Sequence, residues 1–168
     1  MTMIADNLQS VRTRVQAACR ACGRDPAEVA LLAVSKTFGP AAVRSAHAAG
    51  QTAFGENYIQ EAVDKMAALA DLPLVWHCIG PIQSNKTRLV AEHFDWAHTV
   101  DRLKIAQRLS EQLPAHRAPL QVCLQVNIDG GPTKSGVAPS EALALAREVA
   151  QLPNLVLRGL MTIPEPAP

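Results

Sequence analysis

Short apolar segments alternate with amphipathic helical segments along this chain of 168 residues. The first apolar segment is VALLAV (29–34), and others begin near Thr52, Leu74, Asp95, Leu120 and Leu155. Between them, apolar residues recur at three- and four-residue steps, which is the spacing of a helix with one buried face. Strands joined by crossover helices run parallel, so this order predicts an α/β protein with a buried parallel sheet.

Glycines mark the ends of the first two predicted helices. Apolar residues at helical spacing run from Ile4 to Cys22 and are followed by Gly23. The alanine-rich segment 41–49 is followed by Gly50. Glycine often follows the last turn of a helix because it adopts left-handed backbone angles without strain.

Three further helices are predicted from apolar stripes within 59–70, 103–113 and 142–149. Thr99 or Asp101 is expected to cap the second of them. Pro139 suits the first turn of the third, where its missing N–H removes no helical hydrogen bond.

Parallel sheets covered by helices form either doubly wound open sheets or closed barrels. A dinucleotide-binding open sheet would have a GxGxxG turn after its first strand, whereas this chain has SKTFGP (35–40). The expected α/β fold class is therefore a (β/α)₈ barrel of the TIM type. Such barrels take at least about 200 residues. The six strand segments here are expected to form about six of the eight βα units, in a single incomplete domain over 1–168.

The charge balance argues against several classes of partner. Sixteen basic and fifteen acidic residues give a net charge of +1, so neither nucleic acid nor a membrane surface is an expected partner. The amino terminus lacks the layout of a signal peptide and no run of 18 apolar residues occurs, which predicts a cytoplasmic protein with reduced cysteines. Cys19 and Cys22 form a CxxC without a second ligand pair, so a zinc site is not expected.

The segment LQVCLQVNI (120–128) alternates between aliphatic and other residues. One interpretation is an antiparallel strand with one face in water. In a barrel, the aliphatic residues would instead pack under the helices. The remaining side chains, Gln121, Cys123, Gln125 and Asn127, would then point into the lumen and need ligands or mutual hydrogen bonds. The alternation alone leaves both interpretations open.

Lys36 stands at the carboxyl end of the first apolar segment, where ligands bind in parallel α/β folds. It shares strand parity with Leu32 and Val34. Packing among such neighbours would strip water from its ammonium, lower the pKa of that group and favour the neutral, nucleophilic amine. Such an amine reacts with carbonyl compounds. The alternative is a strand-end lysine that reaches water or a carboxylate.

Polar residues also follow the next predicted strands. FGENYIQE (54–61) brings Glu56 and Asn57 to the end of the second strand, and WHCIGPIQSNK (76–86) spans the end of the third. The carboxyl ends of parallel strands meet at one rim of a barrel, so these residues are expected to share that rim with Lys36.

Together these motifs resemble the pyridoxal-phosphate homeostasis protein family, which has the barrel of the alanine racemase N-terminal domain. The resemblance covers nearly the whole chain, and the motifs keep their order and spacing. They are AVSKT (33–37), FGENYIQE (54–61), WHCIGPIQSNK (76–86), NI…KSG (127–136) and RGLMTI (158–163).

The resemblance implies that Lys36 holds pyridoxal 5′-phosphate (PLP) as a Schiff base. It also implies that Asn57 lines the cofactor site and that Ile79 and Met161 make apolar contacts near the cofactor ring. The structural alternatives are a helix cap for Asn57 and core positions for Ile79 and Met161. Lys134 matches a second lysine of the family, a transient acceptor of the aldehyde, although a loop lysine beside a glycine is more often solvated.

His77 lies between Trp76 and Cys78 in an apolar segment. A histidine in such a segment is more often a hydrogen-bonded part of the core than a catalytic base. We therefore expect a structural role for it.

The function implied by the resemblance is PLP binding in vitamin B6 homeostasis, without evident catalysis. The alternative is a PLP-dependent amino-acid racemase or lyase on the same barrel, and a Schiff-base aldolase without PLP is a third hypothesis. The resemblance places the phosphate ligands, and an arginine at the pyridine nitrogen, in a final quarter of the barrel beyond IPEPAP (163–168). A sheet without that quarter would expose two edges, so self-association is expected.

Overall fold

Strands and helices alternate along the chain in the order that the sequence predicts. The computed structural model describes residues 2–167. The strands are β1 (Ala33–Val34), β2 (Ala53–Glu56), β3 (Val75–Cys78), β4 (Trp96–Val100), β5 (Leu120–Gln125) and β6 (Leu155–Met161). The helices are α1 (Met3–Ala21), α2 (Pro40–Ala48), α3 (Ile59–Ala68), α4 (Thr87–His93), α5 (Leu103–Gln112) and α6 (Pro139–Ala150). Short 3₁₀ helices cover Pro26–Glu28 and Ser84–Lys86.

The six strands form one sheet in sequence order, and every neighbouring pair is parallel. Helices α2 to α6 each lie between two consecutive strands of this sheet in the chain. The prediction of a parallel α/β fold with six βα units is therefore confirmed. All the strands consequently point their carboxyl ends to the same edge of the sheet, which is where a barrel of this kind binds its ligands.

β1 and β6 are the edge strands, and within residues 2–167 they do not pair with each other. Unpaired N–H and C=O groups along an edge strand can pair with another chain. Self-association stays a prediction: sedimentation velocity over a concentration series should show dimers or larger species that increase with concentration. A monomer at every concentration would contradict it.

β5 has one aliphatic face and one polar face. Leu120, Val122 and Leu124 are fully buried in the core cluster that includes helix residues, whereas Gln121 and Cys123 are half-buried on the opposite face. Because β5 pairs in parallel with both β4 and β6, the antiparallel interpretation is wrong. The polar side chains face away from the helices, as expected for the inner face of a barrel.

The predicted helix ends agree with the structure. Gly23 and Gly50 follow α1 and α2 with φ angles of 70° and 91°, in the left-handed region that favours glycine. Pro139 occupies the first turn of α6. Glycine and proline thus determine where these three helices begin or end.

The predicted caps of α5 are wrong. Its N-cap is Arg102, which makes no side-chain capping bond. The Thr99 hydroxyl instead donates to the carbonyl of Gly80 at 2.7 Å, and the Asp101 carboxylate accepts from the N–H of Gly136 at 3.0 Å. Both side chains bind backbone groups of segments that follow other strands, which spacing along the chain does not show.

The first strand is also shorter than predicted, at Ala33–Val34 in place of 29–34. One cause is the side chain of Gln51, whose amide donates to the carbonyl of Leu31 at 2.7 Å and so takes the place of a strand partner. A short β1 leaves Lys36 in the turn that follows the strand and not within the strand itself.

The described residues contain no helix that is both long and apolar enough to cross a membrane. Cys19 is buried and Cys22 is exposed, and both are free thiols. Within residues 2–167, no three histidine, cysteine or acidic side chains are grouped so that they could hold a metal ion.

Candidate functional site

A cavity of about 220 Å³ lies at the carboxyl ends of the strands. Its lining comes from residues that end β4 and β5 or follow β2, β3 and β6, and from the loop after β5. These residues include Asn57, Ile79, Thr99, Gln125, Lys134 and Ile163. The cavity therefore lies where the fold is expected to bind a ligand.

Asn57 is the polar residue of this cavity that most clearly lacks a partner. Its Oδ1 atom is buried and has no hydrogen-bond partner in the described chain. It does not cap α3, whose N-cap is Tyr58 without a side-chain bond. An unpaired buried acceptor costs about 1–3 kcal/mol, so Asn57 is suited to accept a hydrogen bond from a ligand in the cavity.

Gly80 lets the chain after β3 pass directly against Asn57. A Cβ atom on Gly80 would lie 2.3 Å from the Asn57 carbonyl oxygen, which is backbone and cannot move aside cheaply. Two strand ends therefore approach each other closely at this point. This approach determines where Asn57 lies relative to Ile79, the neighbour of Gly80 in the chain.

We expect Gly80→Ala to destabilise the protein by about 1–3 kcal/mol, because the added methyl group must push two strand ends apart. Gly131→Ala is the matched control: its Cβ would meet only the Lys134 side chain at 3.5 Å, so a change within about 0.5 kcal/mol is expected. Urea unfolding measures both. Equal stability of the two variants would contradict the close approach.

Ile79 lines the cavity, but Met161 does not. Ile79 is half-buried and packs over Gly55, at which a Cβ would lie 2.9 Å from the Ile79 Cδ1 atom. Met161 is half-buried at the end of β6 and pairs with Gln125, which does line the cavity. The structure thus brings Ile79 to the cavity and places Met161 one strand position from its wall.

Lys36 is exposed, so the predicted burial of its ammonium is wrong. It lies two residues beyond the end of β1, which is an edge strand with a neighbour on one side only. No hydrogen bond or ion pair within residues 2–167 engages its side chain, so the alternative of a lysine held by a carboxylate is not found either. Lys36 does not line the cavity.

Glu56 does not lie at the rim, where the sequence placed it. It is fully buried, and its Oε1 atom lies 2.5 Å from the Nζ atom of Lys65 on α3. Lys65 is also buried, with 5% of its surface exposed. No pattern in the sequence indicates this pair, since Glu56 and Lys65 are nine residues apart on different elements.

Lys134 lines the cavity and is held by carboxylates. Its Nζ atom lies 2.9 Å from a carboxylate oxygen of Glu165 and 3.3 Å from one of Asp129. The hydrogen bond that Lys134 donates to Glu165 is the main reason that the pKa of Lys134 is raised above its usual value. Lys134 is therefore held as an ammonium ion and is neither freely solvated nor a neutral amine.

The comparisons with known proteins agree on one family. The family model described as "Alanine racemase, N-terminal domain" matches residues 6–167. The pyridoxal phosphate homeostasis protein of Pseudomonas aeruginosa is 67% identical over 166 residues, which cover 99% of this chain and 72% of that protein. The protein of the same name from Escherichia coli K12 is 55% identical over 169 residues, covering 99% and 72%.

The chain belongs to the pyridoxal phosphate homeostasis protein family. Among solved structures, PipY of Synechococcus elongatus with PLP bound matches with a TM-score of 0.83 and 41% identity, over 96% of this chain and 71% of PipY. Alanine racemase from E. faecalis matches with a TM-score of 0.64 and 23% identity, over 92% of this chain and 41% of the racemase, which shows a shared fold alone.

Membership of this family confirms the resemblance drawn from the five sequence motifs and the barrel type of the fold. The ion pair between Glu56 and Lys65, next to the Lys36 turn, was not predicted from the sequence. The sequence carries only a weak signal for this pair. Glu56 and Lys65 are nine residues apart, and they meet only because α3 packs next to the end of β2.

His77 and His98 form a hydrogen-bonded pair on the face of the sheet that carries the polar residues of β5. His77 Nδ1 lies 2.8 Å from His98 Nε2, and the His77 ring stacks on Trp96 with centroids 5.1 Å apart. Burial, and secondarily the charge of His98, lowers the pKa of His77 to about 4. His77 is therefore neutral at pH 7. The predicted hydrogen bond is confirmed, whereas the predicted core position is wrong, since His77 is half-buried outside the core cluster.

This lowered pKa predicts an acid-sensitive stability. In the unfolded chain His77 takes up a proton near pH 6.5, whereas in the folded chain it does so near pH 4. Its stabilising contribution is thus complete above about pH 6.5 and is lost as the pH falls toward 4. We expect a loss of about 1–2 kcal/mol, reduced from the full linkage value because the ring is only partly buried.

Urea unfolding of wild type and His77→Gln between pH 7 and pH 4 measures this loss. The variant is expected to show a flatter pH dependence, and His116→Gln, at an exposed histidine, serves as the control. Parallel curves for wild type and His77→Gln would contradict the assignment.

Proposed function

We propose that this protein binds PLP at the carboxyl ends of its strands, holds it through a lysine Schiff base and takes part in vitamin B6 homeostasis without catalysing a reaction. The observation that carries the proposal is the buried, unpartnered Oδ1 atom of Asn57 in the wall of a cavity at this rim. The names of the relatives and the PLP in PipY support the same cofactor.

The residues of the rim fit this cofactor chemically. PLP supplies an aldehyde, with which a primary amine forms a carbon–nitrogen double bond and releases water. Asn57 offers an acceptor for a polar group of the cofactor, and Ile79 offers an apolar surface for a flat ring. Met161, next to the wall, would extend that surface.

We assign the amine to Lys36 because it lies in the AVSKT motif (33–37) at the end of β1, and because Lys65 and Lys134 are paired with carboxylates. Lys65 is buried against Glu56, and Lys134 is held by two carboxylates that favour its charged form. Lys36 has no such partner in the described chain and follows the strand end. The lysine side chain is long and flexible, so its amine can extend from an exposed turn toward a ligand bound at the rim.

The proposal includes no substrate turnover. Likeness to alanine racemases at 16–23% identity supports the fold alone. The only tyrosine, Tyr58, is 55% exposed at the start of α3, so it is poorly placed to act as a buried base. We therefore expect the protein to hold PLP and to leave amino acids unchanged.

Titration with PLP tests the proposal, with pyridoxine 5′-phosphate as the matched ligand because it lacks the aldehyde. PLP is expected to give a saturable visible absorbance band that borohydride removes, and pyridoxine 5′-phosphate is expected to give none. Conversion of L-alanine to D-alanine should stay at background. Absence of a saturable band would contradict the binding, and racemisation above background would contradict the lack of catalysis.

A further inference from the structure

The residue before Lys36 is held by a buried ion pair. Ser35 is buried, and its hydroxyl donates to the Oε1 atom of Glu56 at 2.9 Å. The carbonyl of Ser35 accepts from the Nζ atom of Lys65, also at 2.9 Å. Because both partners are buried and bonded to each other, Ser35 is tied to β2 and α3 by charge-assisted hydrogen bonds, which are stronger than neutral ones.

The residue after Lys36 is held in an unusual conformation. Thr37 has a φ angle of 66°, in the left-handed region that β-branched residues rarely adopt. Its N–H donates to the Oε1 atom of Glu61 at 3.1 Å, and that same atom lies 3.3 Å from the Nζ atom of Lys65. A strained backbone persists only where its surroundings impose it, and such sites cluster where function needs a fixed geometry.

Both neighbours of Lys36 are therefore bound to one group of three charged side chains, Glu56, Glu61 and Lys65. The exposed side chain of Lys36 makes no hydrogen bond or ion pair within residues 2–167, so its direction depends mainly on the backbone turn. Fixing that turn restricts where the amine can travel, and restriction of this kind raises the rate of reaction with a bound partner.

We propose that Lys65, Glu56 and Glu61 are positioning residues that hold the Ser35–Thr37 turn and so direct the Lys36 amine to a carbonyl ligand. The inference rests on the proposed function. The step that it serves is balanced without any oxidant: the amine nitrogen attacks the aldehyde carbon, the carbonyl oxygen leaves as water, and a carbon–nitrogen double bond forms.

The first readout needs no cofactor. Hydrogen exchange of the Thr37 amide, followed by NMR in cofactor-free protein, reports whether Glu61 holds the turn. We expect Glu61→Ala to speed exchange by about 2- to 10-fold, the loss of one hydrogen bond. Glu61→Gln keeps an oxygen acceptor and should restore slow exchange. Glu28→Ala, at an exposed glutamate paired with Arg24, is the control.

The second readout is the rate at which the PLP absorbance band forms at Lys36. We expect formation to be about tenfold slower in Lys65→Met, because a misplaced reacting group loses rate steeply. Leu109→Ala, at a fully buried position of α5, controls for lost stability alone. If Lys65→Met does not fold, Glu61→Ala decides the question, since Glu61 is partly exposed and its loss leaves the buried pair intact.

The outcomes separate the two proposals. No band in the wild type overturns the proposed function and the inference with it. A normal band in the wild type, with an unchanged rate in Glu61→Ala and Lys65→Met, overturns the inference alone, whether or not Thr37 exchange changes. Slowing in Leu109→Ala as large as in Lys65→Met also overturns it.

Discussion

Lys36→Ala is expected to remove the visible absorbance band that PLP gives with the wild-type protein and to weaken PLP retention by at least about 100-fold, or about 2.7 kcal/mol. The physical reason is that the covalent link to the cofactor is lost, and a lysine held by a carboxylate is a poor replacement. Lys65 and Lys134 are both tied to carboxylates. Absorbance after gel filtration measures the retained cofactor.

Lys104→Ala is the matched control for this experiment, since Lys104 is an exposed lysine on α5 that does not line the cavity. It should retain PLP like the wild type. If Lys36→Ala kept the band while Lys104→Ala behaved normally, another amine would hold the cofactor. Lys134 would then be the first residue to replace.

Lys65→Met is expected to destabilise the fold by about 3–5 kcal/mol, because it leaves the buried carboxylate of Glu56 without its cation. Adding Glu56→Gln should recover most of this loss, since a neutral amide can still accept from the Ser35 hydroxyl. Urea unfolding of the two single variants and the double variant gives the coupling free energy. The double variant should be clearly more stable than Lys65→Met.

An exposed ion pair provides the comparison. Arg44 and Asp71 are bonded at 2.7 Å, but their side chains are 44% and 61% exposed. Arg44→Met is therefore expected to lower the free energy of unfolding far less than Lys65→Met does. If Arg44→Met and Lys65→Met lowered the free energy of unfolding by similar amounts, the unpaired buried carboxylate of Glu56 would not be the cause of the loss.

The order of strands and helices could be predicted because it depends on local patterns. Aliphatic runs, helical stripes and the glycines after α1 and α2 act over a few residues. The alternation over 120–128 was open from sequence alone. The choice between the two interpretations depends on strand pairing, because β5 is parallel to both of its neighbours in the sheet.

The candidate site was predictable only in part. Asn57 and Ile79 reach the cavity because they follow strand ends, which the sequence marks well. The exposure of Lys36 was not predictable, since it depends on which strand lies at the edge of the sheet. The burial of Lys65 was not predictable either, because its partner Glu56 is nine residues away and lies on a different element.

The proposed role of one lysine can be tested directly by locating the cofactor on the chain. Wild-type protein saturated with PLP is reduced with borohydride, digested and mapped by mass spectrometry. We predict a single major modified peptide that carries the pyridoxyl group on Lys36. Modification mainly on Lys134, or spread over several exposed lysines, would contradict it.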